Sequence, residues 1–188
     1  MSVSLPVILI LISGAPVKQS ECTKPKEMKS GNSTCYLFRH YVVRVVEREE
    51  GSPAQVVCVS PRQQNATLLV ECKKHSGESV IEIENVAFEC MYEKLVFLRT
   101  AQSAPGTGDV IVVDADTQKV VFRDSAGDLE VSVIDGGLVY WAAARALKDE
   151  ECGDATVGFG CVVREKVSVN LRTKKRTSLG ETMKLPIQ

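Results

Sequence analysis

The sequence predicts a mainly β protein with antiparallel sheets of meander or sandwich type, one short helix and several disulfides. Between residues 108 and 147, short apolar, β-branched runs alternate with Asp, Gly and Ser clusters, which is the pattern of strands joined by tight hairpins. No run longer than about a dozen residues shows helical periodicity. Seven cysteines lie in 188 residues, which is typical of a disulfide-stapled scaffold.

The length and composition fit one domain with its own core. The chain is 44% hydrophobic, which supplies enough apolar side chains for a packed interior. We expect a signal segment at 1–20 and a single β-rich domain at 21–188. A candidate boundary between two sheet units lies at 101–108, where the sequence carries no apolar pattern.

The first twenty residues resemble a secretory signal. An unbroken apolar run, Leu5 to Ile12, precedes the small residues Ser13 to Ala15, although no Lys or Arg stands before it and Pro16 would follow the cleavage site. The run is too short to span a membrane. None of the cysteines forms a C-x-x-C pair, so we read them as disulfide partners in an oxidising compartment. The predicted location is extracytoplasmic, either periplasmic or secreted.

Charge is segregated along the chain although the net charge is only −1. The first 100 residues are nearly neutral, residues 101–160 carry a net charge of −7, and residues 161–188 carry +5. A globally basic nucleic-acid binder is excluded. Cross-strand ion pairs between neighbouring strands are the simplest explanation of the pattern, and two faces of opposite sign are the alternative.

The N-terminal third is predicted to begin with a loop and a strand. Residues 21–33 are polar and rich in Lys, Gly and Ser, so we expect an exposed arm tied down by Cys22 and by Cys35. The segment Tyr36–Glu47 mixes apolar and basic positions with strong β formers, which predicts one long strand.

A hairpin is expected next, formed by Ala54–Ser60 and Ala66–Lys73. Period-two counting places Cys58 and Cys72 on the same side of this hairpin. Opposed residues of an antiparallel pair come close enough for a disulfide. We therefore predict a Cys58–Cys72 bridge, with Cys90 as the competing partner.

The buried face of the following segment changes parity near Asn85. Ile81 before it and Val86 after it are both expected to point inward, which requires a bulge or bend. Met91–Thr100 then continues as a strand that is apolar on nearly every position, so we expect it to be covered on both faces.

The stretch from 108 to 147 is predicted as a series of hairpins followed by a helix. Its strands are Val110–Val113, Val120–Arg123, Leu129–Val133 and Leu138–Trp141. Ala142–Glu151 is rich in Ala, Leu, Lys and Glu, which favours a helix of two to three turns or a loop with helical content.

The C-terminal part is expected to hold a local disulfide and a final strand. Cys152 and Cys161 bracket a short loop, and a bridge across it would stabilise the fold by roughly 2 to 3 kcal/mol. Val162–Leu171 alternates apolar and polar positions, as a half-exposed strand does. From Gly180 onward we expect a tail.

Two aspartates after the first hairpin strand raise the question of a metal. Asp114 and Asp116 begin like a calcium loop, but Gln118 stands at the next ligand position and no terminal Glu follows. Asp side chains that hydrogen-bond the turn backbone explain them more simply. The two histidines and the scattered cysteines lack zinc-ligand spacing, so we expect no metal and no cofactor.

A catalytic set is not evident. His40 and His75 are the only histidines, and neither belongs to a nucleophile motif. An enzyme of this sequence would have to use scattered carboxylates. The candidates are Asp114, Asp116, Asp124 and Asp128.

The densest basic patch is Arg172, Lys174, Lys175 and Arg176. It lacks interleaved aromatic residues, which argues against nucleic acid. A solvated sheet edge that Lys protects from aggregation is the simplest interpretation, and an acidic protein partner is the functional alternative. Together with Asp114 and Asp116, these are the candidate binding residues.

Tyr140 and Trp141, just after the predicted turn at Asp135-Gly136-Gly137, form the only pair of adjacent large aromatic residues in the sequence. Such residues usually belong to a core. An exposed Trp141 would instead serve as a binding anchor.

These observations favour an exported, non-enzymatic domain that binds another protein through a charged β surface, for example as an inhibitor or immunity-type protein. A secreted hydrolase or carbohydrate-active module using the clustered carboxylates is the first alternative. A structural or adhesive surface domain is the second, for which the glycosylation triplets at Asn32 and Asn65 would matter.

Overall fold

A computed structural model describes residues 22–23, 25–47, 54–62, 79–100, 108–126, 131–147, 152 and 161–186. Within these ranges the chain forms thirteen β-strands in three sheets, and every pair of neighbouring strands is antiparallel. The mainly β, antiparallel, disulfide-stapled fold class is therefore confirmed.

Each sheet is a meander in which strands adjacent in sequence are also adjacent in space. Sheet 1 consists of β1 (Lys26–Ser30), β2 (Ser33–Leu37), β3 (Tyr41–Glu47), β4 (Ala54–Pro61) and β5 (Ser79–Glu84). Sheet 2 consists of β6 (Val86–Tyr92), β7 (Leu95–Thr100), β8 (Asp109–Asp114) and β9 (Lys119–Ser125). Sheet 3 consists of β10 (Ser132–Ile134), β11 (Gly137–Leu147), β12 (Cys161–Asn170) and β13 (Lys175–Pro186).

Sheet 2 is the middle layer of the three. Side chains on successive residues of a strand point to opposite faces, and in β8 they enter two separate cores. Ile111 and Val113 join core 1 with side chains from sheet 1, whereas Val110 and Val112 join core 2 with side chains from sheet 3. All four are at most 2% exposed. A strand buried on both faces needs an unbroken apolar run, and β8 has one.

Strand β7 shows the same division and confirms the expectation that it is covered on both faces. Val96 and Leu98 lie in core 1, and Phe97 lies in core 2. The predicted change of parity is also confirmed. Asn85 has a φ of +48°, and at this residue the chain leaves sheet 1 and enters sheet 2 with its apolar side still facing core 1.

The single long strand predicted for 36–47 is wrong. The chain turns at residues 38–40, where the N–H of Phe38 donates to the carbonyl of Tyr41 at 2.9 Å, and β2 and β3 pair as a hairpin. Phe38 is itself buried in core 1. Because the turn contains a core residue, the apolar pattern continues through it and conceals it.

The polar arm predicted for 21–33 is also corrected. Residues 26–30 form β1, paired with β2 across a turn in which Gly31 has a φ of +60°. The side chain of Asn32 holds this turn against β3 by donating to the carbonyl of Glu47 at 2.7 Å. The polar composition of β1 reflects an exposed edge strand.

No helix forms at the start of 142–151. Residues up to Leu147 continue β11, which pairs with β12 until Leu147 stands opposite Cys161. Pairing along a long neighbouring strand outweighs the helix propensity of the alanines. Residues 148–151 lie outside the described residues.

The expected tail from Gly180 is a strand as well. Strand β13 runs to Pro186 and pairs with β12 on both sides of an irregularity between Glu165 and Val167. The candidate boundary segment 101–108 joins β7 and β8, which are neighbours in sheet 2. The chain passes from one sheet to the next at Asn85 and between β9 and β10.

The disulfides follow the prediction in part. Cys152 and Cys161 are bridged, as their spacing predicted. Cys22 is bridged to Cys90 of β6, and this bond fastens the N-terminal segment to sheet 2, where Thr23 also pairs with Met91.

The predicted Cys58–Cys72 bridge is wrong. Cys58 is a buried thiol, and its Sγ accepts a hydrogen bond from Arg44 Nη2 at 3.4 Å. Arg44 stands directly opposite Cys58 in the β3–β4 pair. Cys35 is disulfide-bonded, and its partner, like Cys72 and the predicted strand 66–73, lies outside the described residues.

Candidate functional site

Hairpin turns of sheets 2 and 3 meet at one end of the molecule and enclose a cleft of about 590 Å³. We call it the turn cleft. Its volume falls within the roughly 300–1,000 Å³ of typical ligand sites. Its lining comprises Tyr92, Glu93, Lys94, Leu95, Asp114 and Val121 from sheet 2, and Asp135, Gly136, Asn170, Leu171, Arg172 and Lys174 from sheet 3.

The floor of the turn cleft is apolar. Tyr92, Leu95 and Val121 are partly buried and pack against core 2, and Leu171 belongs to that core. The cleft is therefore a place where core 2 opens to the surface. These four side chains stand at strand ends, where a sequence pattern does not distinguish a cleft floor from ordinary core, and sequence reasoning missed them.

One wall is basic because of the turn between β12 and β13. We call residues 172–176 the basic turn. Asn170 fixes the start of the turn, since its Oδ1 atom accepts hydrogen bonds from the N–H groups of Arg172 (3.0 Å) and Thr173 (2.9 Å). Lys174 closes the turn with a φ of +56°, a conformation that few non-glycine residues adopt. The turn is thus defined by its own hydrogen bonds.

The cations of this wall are available. Arg172, Lys174 and Lys175 are exposed, and no ion pair involves them among the described residues. An exposed charge that is already paired within the protein would add little binding free energy for a partner. Arg172 and Lys174 lie at the cleft, whereas Arg176 turns towards Asp124.

Acidic groups line the turn cleft at two other turns, one in sheet 3 beside the basic turn and one in sheet 2. Asp135 and Gly136 form a two-residue hairpin loop, and their φ values of +46° and +70° are those that such a loop requires. Asp135 and Glu93 are exposed. The turn cleft therefore carries basic and acidic side chains around one apolar floor.

Asp114 and Asp116 serve as turn formers. The Oδ1 atom of Asp114 accepts the N–H groups of Asp116 (3.0 Å) and Thr117 (2.9 Å). Lys94 Nζ lies 3.2 Å from Asp114 and 3.0 Å from Asp116. The hydroxyl of Tyr41, from sheet 1, donates to Asp116. This cluster joins sheets 1 and 2 beside the cleft.

The cluster shifts the pKa values of its members. The hydrogen bonds from Tyr41 and then from Lys94 lower the pKa of Asp116. Burial raises the pKa of Asp114, but the N–H of Thr117 and the ammonium of Lys94 together lower it below the ordinary value. Hydrogen bonds to Asp116 and Asp114 raise the pKa of Lys94. The carboxylates are therefore charged and already bound to a cation.

Tyr140 is a core residue and is not accessible to a partner. It is 1% exposed, and its hydroxyl donates to Asp124 Oδ2 at 2.6 Å. Burial, followed by this hydrogen bond, raises the pKa of Tyr140. Arg176 Nη1 lies 3.4 Å from the same carboxylate oxygen. Together the three side chains tie β9 of sheet 2 to sheet 3.

Trp141 lies on the outer face of sheet 3, since neighbouring residues of a strand point to opposite faces. It is half-buried. Lys166 Nζ sits 5.6 Å from the ring centroid and also pairs with Glu181 at 2.9 Å. Trp141 does not line the turn cleft.

Of the candidate carboxylates, Asp114 and Asp116 share Lys94, whereas Asp124 lies apart from them. Asp114 stands opposite Lys119 at one end of β9, whereas Asp124 stands opposite Val110 near the other end. These positions are five residue steps apart along β9, about 16 Å at the usual rise. Paired catalytic carboxylates are about 5 to 9.5 Å apart. Asp128 lies outside the described residues.

In the described part of the chain, no three His, Cys, Asp or Glu side chains come together as a metal site. The described residues contain no helix that is long and apolar enough to cross a membrane. Comparison with known proteins finds no family model, no curated protein and no solved structure that matches this chain significantly.

Proposed function

We propose that this protein is a non-enzymatic binding domain that acts outside the cytosol and engages an acidic surface of another protein through its basic turn and turn cleft. The observation that carries the proposal is the exposed cations Arg172 and Lys174, which line an open cleft and have no ion-pair partner among the described residues. Inhibitors and immunity proteins are examples of this class.

The surroundings of the basic turn support an acidic partner. The nearby cation Lys94 is already occupied by Asp114 and Asp116, so Arg172 and Lys174 remain for a partner. Complementary charges across an interface steer association and fix its register. The hydrogen bonds of Asn170 fix the backbone at the start of this turn before binding, which lowers the cost of ordering the segment that carries both cations.

Export is part of the same proposal. The bridges Cys22–Cys90 and Cys152–Cys161 are compatible with an oxidising compartment, and the N-terminal apolar run resembles a signal. A partner in the periplasm or outside the cell follows from both.

The test is co-purification from the native host followed by affinity measurement with the isolated partner. Replacing Arg172 and Lys174 by Glu should weaken binding at least tenfold and reduce its dependence on salt. The matched control is K26E/K29E, which changes the charge by the same amount on exposed β1 in sheet 1. Equal affinities for wild type, test variant and control would overturn the proposal.

A further inference from the structure

We infer that the turn cleft receives one apolar side chain of the partner, of the size of Leu or Phe, with carboxylates on one side of it in the partner's sequence that reach Arg172 and Lys174. The inference rests on the proposed protein-binding function and names the recognition element that this function would use. The inference concerns the apolar floor of the cleft, whereas the proposed function is argued from the charges alone.

The first argument is the continuity of the floor with core 2. Tyr92, Leu95 and Val121 are only partly buried although they pack against core side chains. An apolar surface open to water at the bottom of a cleft gains free energy when another apolar group covers it. Protein interfaces often place an aromatic or aliphatic anchor in such a pocket, with less critical contacts around it.

The second argument is the placement of charge around the floor. Arg172 and Lys174 stand at the β12–β13 turn, whereas the exposed acids Glu93 and Asp135 stand at the β6–β7 and β10–β11 turns. An anchor preceded and followed by carboxylates would bring one of them towards Glu93. Carboxylates on a single side of the anchor satisfy the basic wall and avoid that repulsion.

The third argument is the stability of the cleft walls. Gly136 has a φ of +70°, and a Cβ built on it would stand 3.6 Å from the ring of Tyr92. The backbone of this loop therefore lies close over the floor. The β12–β13 and β8–β9 turns, fixed by Asn170 and Asp114, also contribute to the lining, so the cleft exists before a partner arrives.

The probe is a set of three synthetic peptides titrated into isotope-labelled full-length protein by NMR. The peptide acetyl-Gly-Phe-Asp-Asp-amide should shift the amides of Leu95, Val121, Gly136 and Leu171 and saturate in the millimolar range. Two matched peptides replace Phe by Ser or both Asp by Lys. Each should bind at least fivefold more weakly.

Two variants separate this inference from the proposed function. V121W, checked for folding by its amide spectrum, should fill the cleft and weaken binding of the Phe peptide at least fivefold. R172E/K174E should remove the preference for Asp over Lys.

If the Phe and Ser peptides bind equally while Asp is still preferred, the anchor is wrong and the charge proposal stands. If no peptide shifts these amides, or if Asp and Lys peptides bind equally, the inference is overturned, and the partner measurement above then decides the proposed function. Should V121W not fold, the peptide series on the wild-type protein remains decisive.

Discussion

At the scale of single residues, the aspartates of this protein organise turns and connect sheets. Asp114 and Asp116 hold the β8–β9 turn and bind Lys94, and Asp124 accepts the hydroxyl of Tyr140. The local role could be predicted, because Asp at a hairpin turn hydrogen-bonds backbone a few residues away. The partners of these carboxylates could not be predicted. Lys94, for example, is 20 residues before Asp114 in the chain and lies beside it because β7 pairs with β8.

The bond between Tyr140 and Asp124 gives the first prediction. Tyr140→Phe should lower the free energy of unfolding by about 1 to 2 kcal/mol, because it removes a hydrogen bond to a charged group that is partly open to solvent. The measurement is urea denaturation. Tyr36→Phe is the control, since Tyr36 is half-buried and stacks on Phe88 through its ring, and it should change stability by less than about 0.5 kcal/mol. Equal effects of both substitutions would contradict the role assigned to Asp124.

The Lys94 cluster predicts a dependence on pH. The folded state lowers the pKa of Asp116 below the ordinary 3.8, so its contribution to stability is present above that pH and disappears as the pH falls through the lowered value. Asp116→Asn should therefore flatten the loss of stability between about pH 5 and pH 2. Asp114 keeps its own lowered pKa, so the slope should decrease and not vanish. An unchanged slope in urea midpoints measured across this range would be inconsistent with the cluster.

At the scale of elements, strand pairing outweighs local propensity. The Ala-rich segment after Tyr140 reads as a helix, yet it extends β11 because β12 offers a long partner. Phe38 is a core residue inside a turn, so the hairpin β2–β3 reads as one strand. By contrast, the parity change at Asn85 and the apolar runs of β7 and β8 were readable, since period-two alternation records which faces are buried.

The middle position of sheet 2 predicts large effects on both faces of β7. Phe97→Ala should cost about 3 to 5 kcal/mol and Leu98→Ala about 2 to 5 kcal/mol, because the two side chains fill different cores. Val120→Ala on edge strand β9 is the control, since Val120 is 46% exposed, and it should cost less than about 0.5 kcal/mol. Equilibrium unfolding checks this. A sheet with one solvent-facing side would make one of the two β7 substitutions as mild as the control.

At the scale of the whole molecule, the chain stacks three meanders so that one sheet supplies side chains to two cores. Each charged segment of the sequence lies in a particular part of this arrangement. The basic C-terminal segment becomes the turn and edge of sheet 3, and the acidic middle segment supplies the β8–β9 turn of sheet 2 and the loop at Asp135. The fold class and several strands were predictable, but the turn cleft was not, because its lining comes from four separate hairpins.

The cysteines provide a test of the overall covalent organisation. Peptide mapping without reduction should recover the bridges Cys22–Cys90 and Cys152–Cys161, a bridge that includes Cys35, and a thiol at Cys58. Labelling of Cys58 should require unfolding, because the residue is 2% exposed. A bridge that includes Cys58 in the native protein would contradict the arrangement of sheet 1.

The central claim is that the turn end of sheets 2 and 3 is the binding surface. Amide hydrogen exchange of the protein alone and in complex with its purified partner tests this claim most directly. Protection on binding should concentrate in 92–95, 135–136 and 170–176, with β1 of sheet 1 unaffected. Protection confined to sheet 1, or to the outer face of sheet 3 around Trp141, with none at the turn cleft, would contradict the account.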